Sequence, residues 1–173
     1  MLTRQQFFRQ LSAVMLGAPL LMPWLEAQGS GVRKKITKLN KARSEWQRLL
    51  QPDTYAVLFK ENTERPHSSP LNDEKRAGTY LCAACYLPLF DARTKYESGT
   101  GWPSFYMPIQ GRLATRRDFK ILWPRTEYHC VRCGGHQGHI FTDGPPPTGQ
   151  RWCNNGLALR FVPAGNPIPA LRT

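Results

Sequence analysis

The apolar pattern changes character along the chain. Residues 11–25, LSAVMLGAPLLMPWL, are almost continuously apolar behind a short basic opening, MLTRQQFFRQ. A run of roughly fifteen residues is short for a membrane span and suits the core of a signal peptide. Over residues 31–51, GVRKKITKLNKARSEWQRLLQ, the apolar positions Ile36, Leu39, Ala42, Trp46 and Leu49 fall near helical spacing, with Lys and Arg between them. That spacing predicts an amphipathic helix ending at Pro52 and docked through Trp46 and the leucines. DTYAVLFKENTERPHSSPL then reads as a short strand or helix followed by an irregular exposed segment. From GTYLCAACYLPLF onwards, aromatic and β-branched clusters alternate with turn markers: Ser98-Gly99, Gly101, Gly134-Gly135 and Asp143-Gly144. This pattern predicts short strands joined by turns.

Composition narrows the picture. With 173 residues and 40% hydrophobic content, one core and one domain are expected. Fifteen prolines and fourteen glycines argue against a helical bundle. The division is an export-like segment at 1–30, the helical segment at 31–52, the main domain at 53–165 and a tail at 166–173. The net charge of +12 would suit nucleic acid or an anionic membrane. However, residues 1–50 carry nine Lys/Arg against Glu26 and Glu45, so +7 of the +12 is an N-terminal property. The opening TRQQFFRQL resembles a twin-arginine export signal with Gln5 in place of the second arginine, and LEAQGSG offers a cleavage neighbourhood after Ala27. Export, as to a periplasm, is expected, by a twin-arginine or general secretory route or as an uncleaved anchor. The alternative is a cytoplasmic protein with an apolar N-terminus.

The five cysteines sharpen the chemistry. Cys82 and Cys85 form one Cys-x-x-Cys knuckle, Cys130 and Cys133 another, and 44 residues separate the two. Two intervening residues let a tight turn aim both sulfurs at one ion, and four thiolates close a tetrahedral zinc site with no open position. Such a zinc is structural and staples two distant hairpins; paired disulfides are the alternative. Arg125 and Arg132 near the second knuckle keep a nucleic-acid ribbon in view, but interleaved aromatics and lysines on one face are missing. Cys153 is left over, in RWCNNG. On a strand, Arg151 and Asn155 would share its side, giving a charge, a nucleophile and an amide donor in a row. A thiol attacks only as thiolate, so neighbouring cations and donors matter. His136 and His139 can handle a proton near neutral pH, and Trp102 in GTGWPSF can form an aromatic wall.

Taken together, TERPHSSPL, GTYLCAACYLPLF, TKYESGTGWPSF, RTEYHCVRCGGHQGHIFTDGPPPTG and RWCNNGLALRFVP resemble the R-specific, MsrB-type methionine sulfoxide reductases over roughly residues 44 to 163. The resemblance implies a mainly β fold, two antiparallel sheets in a β-tent with short N-terminal helices. It implies one structural zinc on Cys82, Cys85, Cys130 and Cys133, and no organic cofactor. Cys153 would attack the sulfur of a methionine-R-sulfoxide, free or in proteins, and become a sulfenic acid. His139 would serve as proton donor with Asn155 beside it. Trp102 would form the apolar wall for the S-methyl group, with Phe141 nearby, while His136, Asn155 and Arg151 orient the sulfoxide and tune the thiolate. The expected partners are that substrate and an external thiol or thioredoxin-like reductant, with a monomeric chain and no nucleic acid. A non-enzymatic zinc β-domain binding a partner through its basic surface is the competing class. Three departures stand out. Thr100 occupies a place where relatives often carry a second redox cysteine. Gln137 replaces the leucine of HLGH, and WCNNG replaces YCINS at Asn154 and Gly156.

Overall fold

The computed structural model describes residues 36–119 and 124–173. The export-like segment and the beginning of the basic segment lie outside the described residues. Among the described residues, no helix is long and apolar enough to cross a membrane.

The N-terminal part differs from the single helix expected over 31–52. Residues 36–42 are not helical, and the Leu39 N–H donates to the Arg132 carbonyl at 2.6 Å. Helix α1 spans only Arg43–Leu49. It starts there because the Glu45 carboxylate turns back to accept the Ala42 N–H at 2.8 Å, one arm of a capping box. Pro52 begins a second helix, α2 (Pro52–Lys60), rather than ending the first. A proline at the first helical position loses no hydrogen bond, since that N–H has no partner in the helix. Trp46 is 1% exposed and stacks on Phe59 of α2 at 5.3 Å, whereas Leu49 points outward at 48% exposure. The helical spacing was thus informative at Trp46 and misleading at Leu49.

Among the described residues nine short strands follow: β1 Gly78–Cys82, β2 Pro88–Asp91, β3 Lys95–Tyr96, β4 Ser104–Phe105, β5 Leu113–Asp118, β6 Arg125–Cys130, β7 His136–Phe141, β8 Arg151–Asn154 and β9 Leu159–Pro163. They form two antiparallel sheets, the arrangement that the family resemblance implied. The smaller has the order β2-β1-β9 and the larger β3-β4-β8-β7-β6-β5. Aromatic side chains close the space between them. Phe90 of β2 stacks on Phe105 of β4 at 4.1 Å, and Tyr80 of β1 meets the same ring edge-on at 4.9 Å. Tyr128 of β6 and Trp152 of β8 extend the layer at 4.9 Å. Each such ring removes a large apolar area from water, which favours one sheet-on-sheet arrangement.

Trp46 is the plug that seats the helices. Trp46→Ala is expected to cost about 3–5 kcal/mol and to lower Tm by on the order of 10 °C, read by thermal denaturation.

Candidate active site and metal centre

Two knuckles with matching backbone geometry lie at the ends of β1 and β6. In each, the strand's last cysteine accepts a hydrogen bond from the residue four positions on: Tyr86 N–H to Cys82 and Gly134 N–H to Cys130, both 2.9 Å. Those fourth residues both have left-handed backbones, φ 62° at Tyr86 and 71° at Gly134. One knuckle belongs to the small sheet and the other to the large one, and together they bring four sulfurs within 4.8 Å of one another. Cys82 and Cys133 sulfurs are 3.6 Å apart, as are those of Cys85 and Cys130. A disulfide needs about 2.05 Å, so these thiols are not crosslinked. A tetrahedral site with metal–sulfur bonds of about 2.3 Å has sulfur–sulfur edges of roughly 3.8 Å, close to the spacing found. The donor set therefore fits a metal ion.

Cys153 lies on β8, between β4 and β7. It is paired with Ser104 on one side and with His139 on the other, so Cys153 and His139 face the same way across the ladder. The next pair along that face is Arg151 with Phe141, and the Arg151 guanidinium covers the Phe141 ring at 4.2 Å. The strands can approach this closely because Gly138 has no side chain; a Cβ there would lie 1.9 Å from the Cys153 carbonyl oxygen. The same carbonyl accepts the Tyr128 hydroxyl at 3.1 Å. Cys153 opens into a cavity of about 110 Å³ lined by Thr63, Trp102, His139, Phe141 and Asn155 among others. Trp102 is fixed by its ring N–H, which donates to the Glu64 carbonyl at 3.1 Å.

The expected site residues do not all arrive as the sequence suggested. Asn155 does not share a strand with Cys153, because β8 ends at Asn154. It reaches the cavity from the loop instead, held by its amide: Oδ1 accepts the Glu64 N–H at 3.1 Å and Nδ2 donates to the Gln137 carbonyl at 3.0 Å. His136 is not among the cavity's lining residues. A bulge in the β6–β7 pairing sets His136 opposite His129 and His139 opposite Glu127, so both histidines lie on one face of β7, with His136 beside His139 and away from Cys153. The Nδ1 of His136 meets the Glu127 carboxylate at 2.7 Å, and its ring lies edge-on to His139 at 5.5 Å. Arg151 stands beside the cavity wall, gripped by both oxygens of Asp143 at 2.8 and 2.9 Å.

Four carboxylates that the sequence did not single out organise these groups. Asp118 on β5 meets His139 Nε2 at 2.7 Å and also accepts from Arg125 at 2.8 Å. Glu127 binds His136 and Arg116, and Arg116 continues to Glu61. Asp143 fixes Arg151. Glu64 caps the turn after Cys153 by accepting the N–H groups of Gly156 at 2.5 Å and Leu157 at 2.9 Å. Gly156, unusual in sequence, is explained here: a Cβ would sit 1.9 Å from the Ser69 hydroxyl.

The charges of the site have definite directions. Burial pushes the Cys153 thiol above its ordinary range, while the Arg151 charge and hydrogen bonds from Thr100 and Arg151 pull it back. Burial pulls His139 below its ordinary value, against the opposing Asp118 bond. The resting pair is thus thiol and neutral imidazole, with a cation beside the sulfur.

The molecule is accordingly a two-sheet β domain with a four-cysteine cluster that fits a metal ion and a separate buried thiol site. The SelR domain model matches residues 50–163, and the chain belongs to that family. It is 50% identical over 129 residues to the peptide methionine sulfoxide reductase MsrB of Pseudomonas putida (strain W619), covering 74% of this chain and 97% of the relative. The corresponding protein of Methanosarcina mazei is 48% identical over 126 residues, 72% of this chain and 90% of its own. That of Agrobacterium fabrum is 45% identical over 127 residues, with 73% and 94% covered.

The raised thiol has a direct consequence. Alkylation of Cys153 by iodoacetamide, followed by peptide mass mapping, should rise with pH with a midpoint above the ~8.5 of a free cysteine. Arg151→Met should move that midpoint higher still; a midpoint below neutrality would contradict the described environment.

Proposed function

We propose that this chain reduces methionine-R-sulfoxide to methionine; the names of its relatives give peptide methionine sulfoxide reduction for those proteins. The observation that carries the reading is Cys153 facing His139 across paired strands, in a cavity walled by Trp102 and Phe141. The cavity is of the size of a small side-chain end group and has a polar side and an apolar side. The sulfoxide's methyl group lies against Trp102, and its oxygen lies toward His139.

The resting protonation states supply the proton needed. His139 takes the thiol proton of Cys153, and the Arg151 charge supports the thiolate as it forms. The thiolate attacks the sulfoxide sulfur while His139, now imidazolium and held by Asp118, gives the proton to the oxygen. The sulfur–oxygen bond breaks, methionine leaves, and the oxygen remains on Cys153 as a sulfenic acid. Two electrons pass from Cys153 to the substrate sulfur. Two equivalents of an external thiol then return Cys153 to the thiol, yielding a disulfide and water. His136 supports the His139 ring from behind, and Asn155 shapes the cavity floor.

The metal of the four-cysteine centre is zinc on this reading, held by Cys82, Cys85, Cys130 and Cys133. With four thiolates it has no position for substrate, so it supplies structure alone.

Two measurements test the proposal. With dithiothreitol as reductant, the R epimer of a methionine sulfoxide should be consumed and the S epimer left. Cys153→Ser should abolish turnover, and His139→Gln should reduce it by about 10²–10⁴-fold. Unchanged turnover in the Cys153 variant would end the reading. Metal analysis should give one zinc per chain, and Cys82→Ser should lose both the zinc and cooperative unfolding.

A further inference from the structure

Gln137 sits between the two sites and touches both. It lies on β7, one residue after His136 and two before His139, and is completely buried. Its side-chain Nε2 is 3.6 Å from the Cys82 sulfur and 3.5 Å from the Gly135 carbonyl oxygen. Its backbone carbonyl accepts from the other direction, taking the Asn155 N–H at 2.9 Å and the Asn155 Nδ2 at 3.0 Å. The side-chain oxygen, Oε1, has no hydrogen-bond partner among the described residues.

An amide with one end unsatisfied is a costly choice for a closed position that an apolar side chain could fill. The cost is explicable if the other end does something a leucine cannot. A sulfur that ligates a metal carries no proton and can only accept, so the NH₂ end of Gln137 is the end that suits Cys82. The same NH₂ group reaches Gly135, in the turn of the other knuckle. Four thiolates around a divalent ion leave two negative charges in a largely buried place, and donors aimed at sulfur draw off part of that charge.

We infer that Gln137 is an outer-sphere hydrogen-bond donor to the metal-bound thiolate of Cys82, and that through its backbone it links the metal centre to Asn155 at the Cys153 cavity. This inference rests on the zinc reading above. The N–H···S bond makes the Cys82 sulfur a poorer base and a slower leaving ligand. The carbonyl of the same residue sets where Asn155 stands, so the order imposed at the metal reaches the catalytic loop through one residue.

The test uses the full-length zinc-loaded chain and two variants. Gln137→Met keeps the length of the side chain and removes its N–H donor; Gln137→Leu introduces the residue usual in the family's motif. Zinc transfer to an excess of chromophoric chelator should be about tenfold faster in both variants. After replacement by Co²⁺, the sulfur-to-metal charge-transfer band should move to longer wavelength, because an unbonded thiolate gives up its electrons more readily. Packing alone would alter the release rate without moving the band. Equal release and an unshifted band in a folded Gln137→Met protein would overturn the inference, and Gln137→Leu provides the same comparison should the first variant not fold. A wild-type chain that binds no zinc would overturn both this inference and the zinc assignment. Failure of sulfoxide turnover with these metal results intact would strike only the proposed reaction.

Discussion

Four sulfur atoms gather where the ends of the two sheets meet, beside an interface filled mainly by apolar side chains. Cys82 and Cys85 belong to the end of the small sheet, Cys130 and Cys133 to the end of the large one. A bound zinc would contribute on the order of 10 kcal/mol or more to such a site. That exceeds any single ring contact in the aromatic layer and is comparable to the whole stability of an ordinary domain. Without this tie, the Phe90–Phe105 stack would have to fix the relative placement of the sheets. Hydrophobic contact is non-directional and tolerates sliding, whereas four directed bonds do not. The position of β7 relative to β1 therefore depends first on the sulfurs, and the position of Cys153 depends on β7.

The thiol site follows from that frame. Cys153 sits on a strand paired on both sides, so its backbone has little freedom, and His139, the proposed acid, is its direct neighbour in the ladder. The carboxylates act from strands further out: Asp118 from β5 and Glu127 from β6. They hold the imidazoles by hydrogen bonds inside a region where such bonds are strong and unpaired groups are costly. Glu64 has a comparable role on the loop side, joining residues 63–64 to the turn after β8. The arrangement places rigid elements beneath the sulfur and hydrogen-bonded loops around it, which suits a reaction that needs a fixed donor–acceptor geometry.

How much of this was legible in the sequence depended on how local the signal was. The metal cysteines were readable because each knuckle is a turn of four residues, and the twin spacing has few other meanings. Cys153 stood out by arithmetic, and His139 through its motif. Asp118, Glu127 and Asp143 were not readable as partners. Their roles depend on strand register and on loop return, and register in sheets is set by long-range pairing. Asn155 was misplaced because strand alternation was carried one residue beyond the strand's end. Pro52 was taken as a stop and proved to be a start, an ambiguity intrinsic to proline, which is compatible with a first helical turn and incompatible with an interior one.

The place of Thr100 has a kinetic meaning. Its hydroxyl bonds to Ser98, and Ser98 bonds to Ser104, each at 2.8 Å, and Thr100 is among the groups that draw the Cys153 thiol down against burial. Hydroxyl groups thus stand where a second thiol could have stood, and the other four cysteines of the chain are gathered in the four-sulfur cluster. On the proposed reaction, an oxidised Cys153 has no second thiol in the same molecule to collide with. A tethered thiol would be present at an effective concentration of the order of millimolar or above, whatever the medium contained. On that reaction the second half of each cycle would be bimolecular, and the oxidised lifetime would scale inversely with the thiol supply outside. Throughput then becomes a gauge of the reducing capacity of the compartment, and the enzyme idles when that capacity falls.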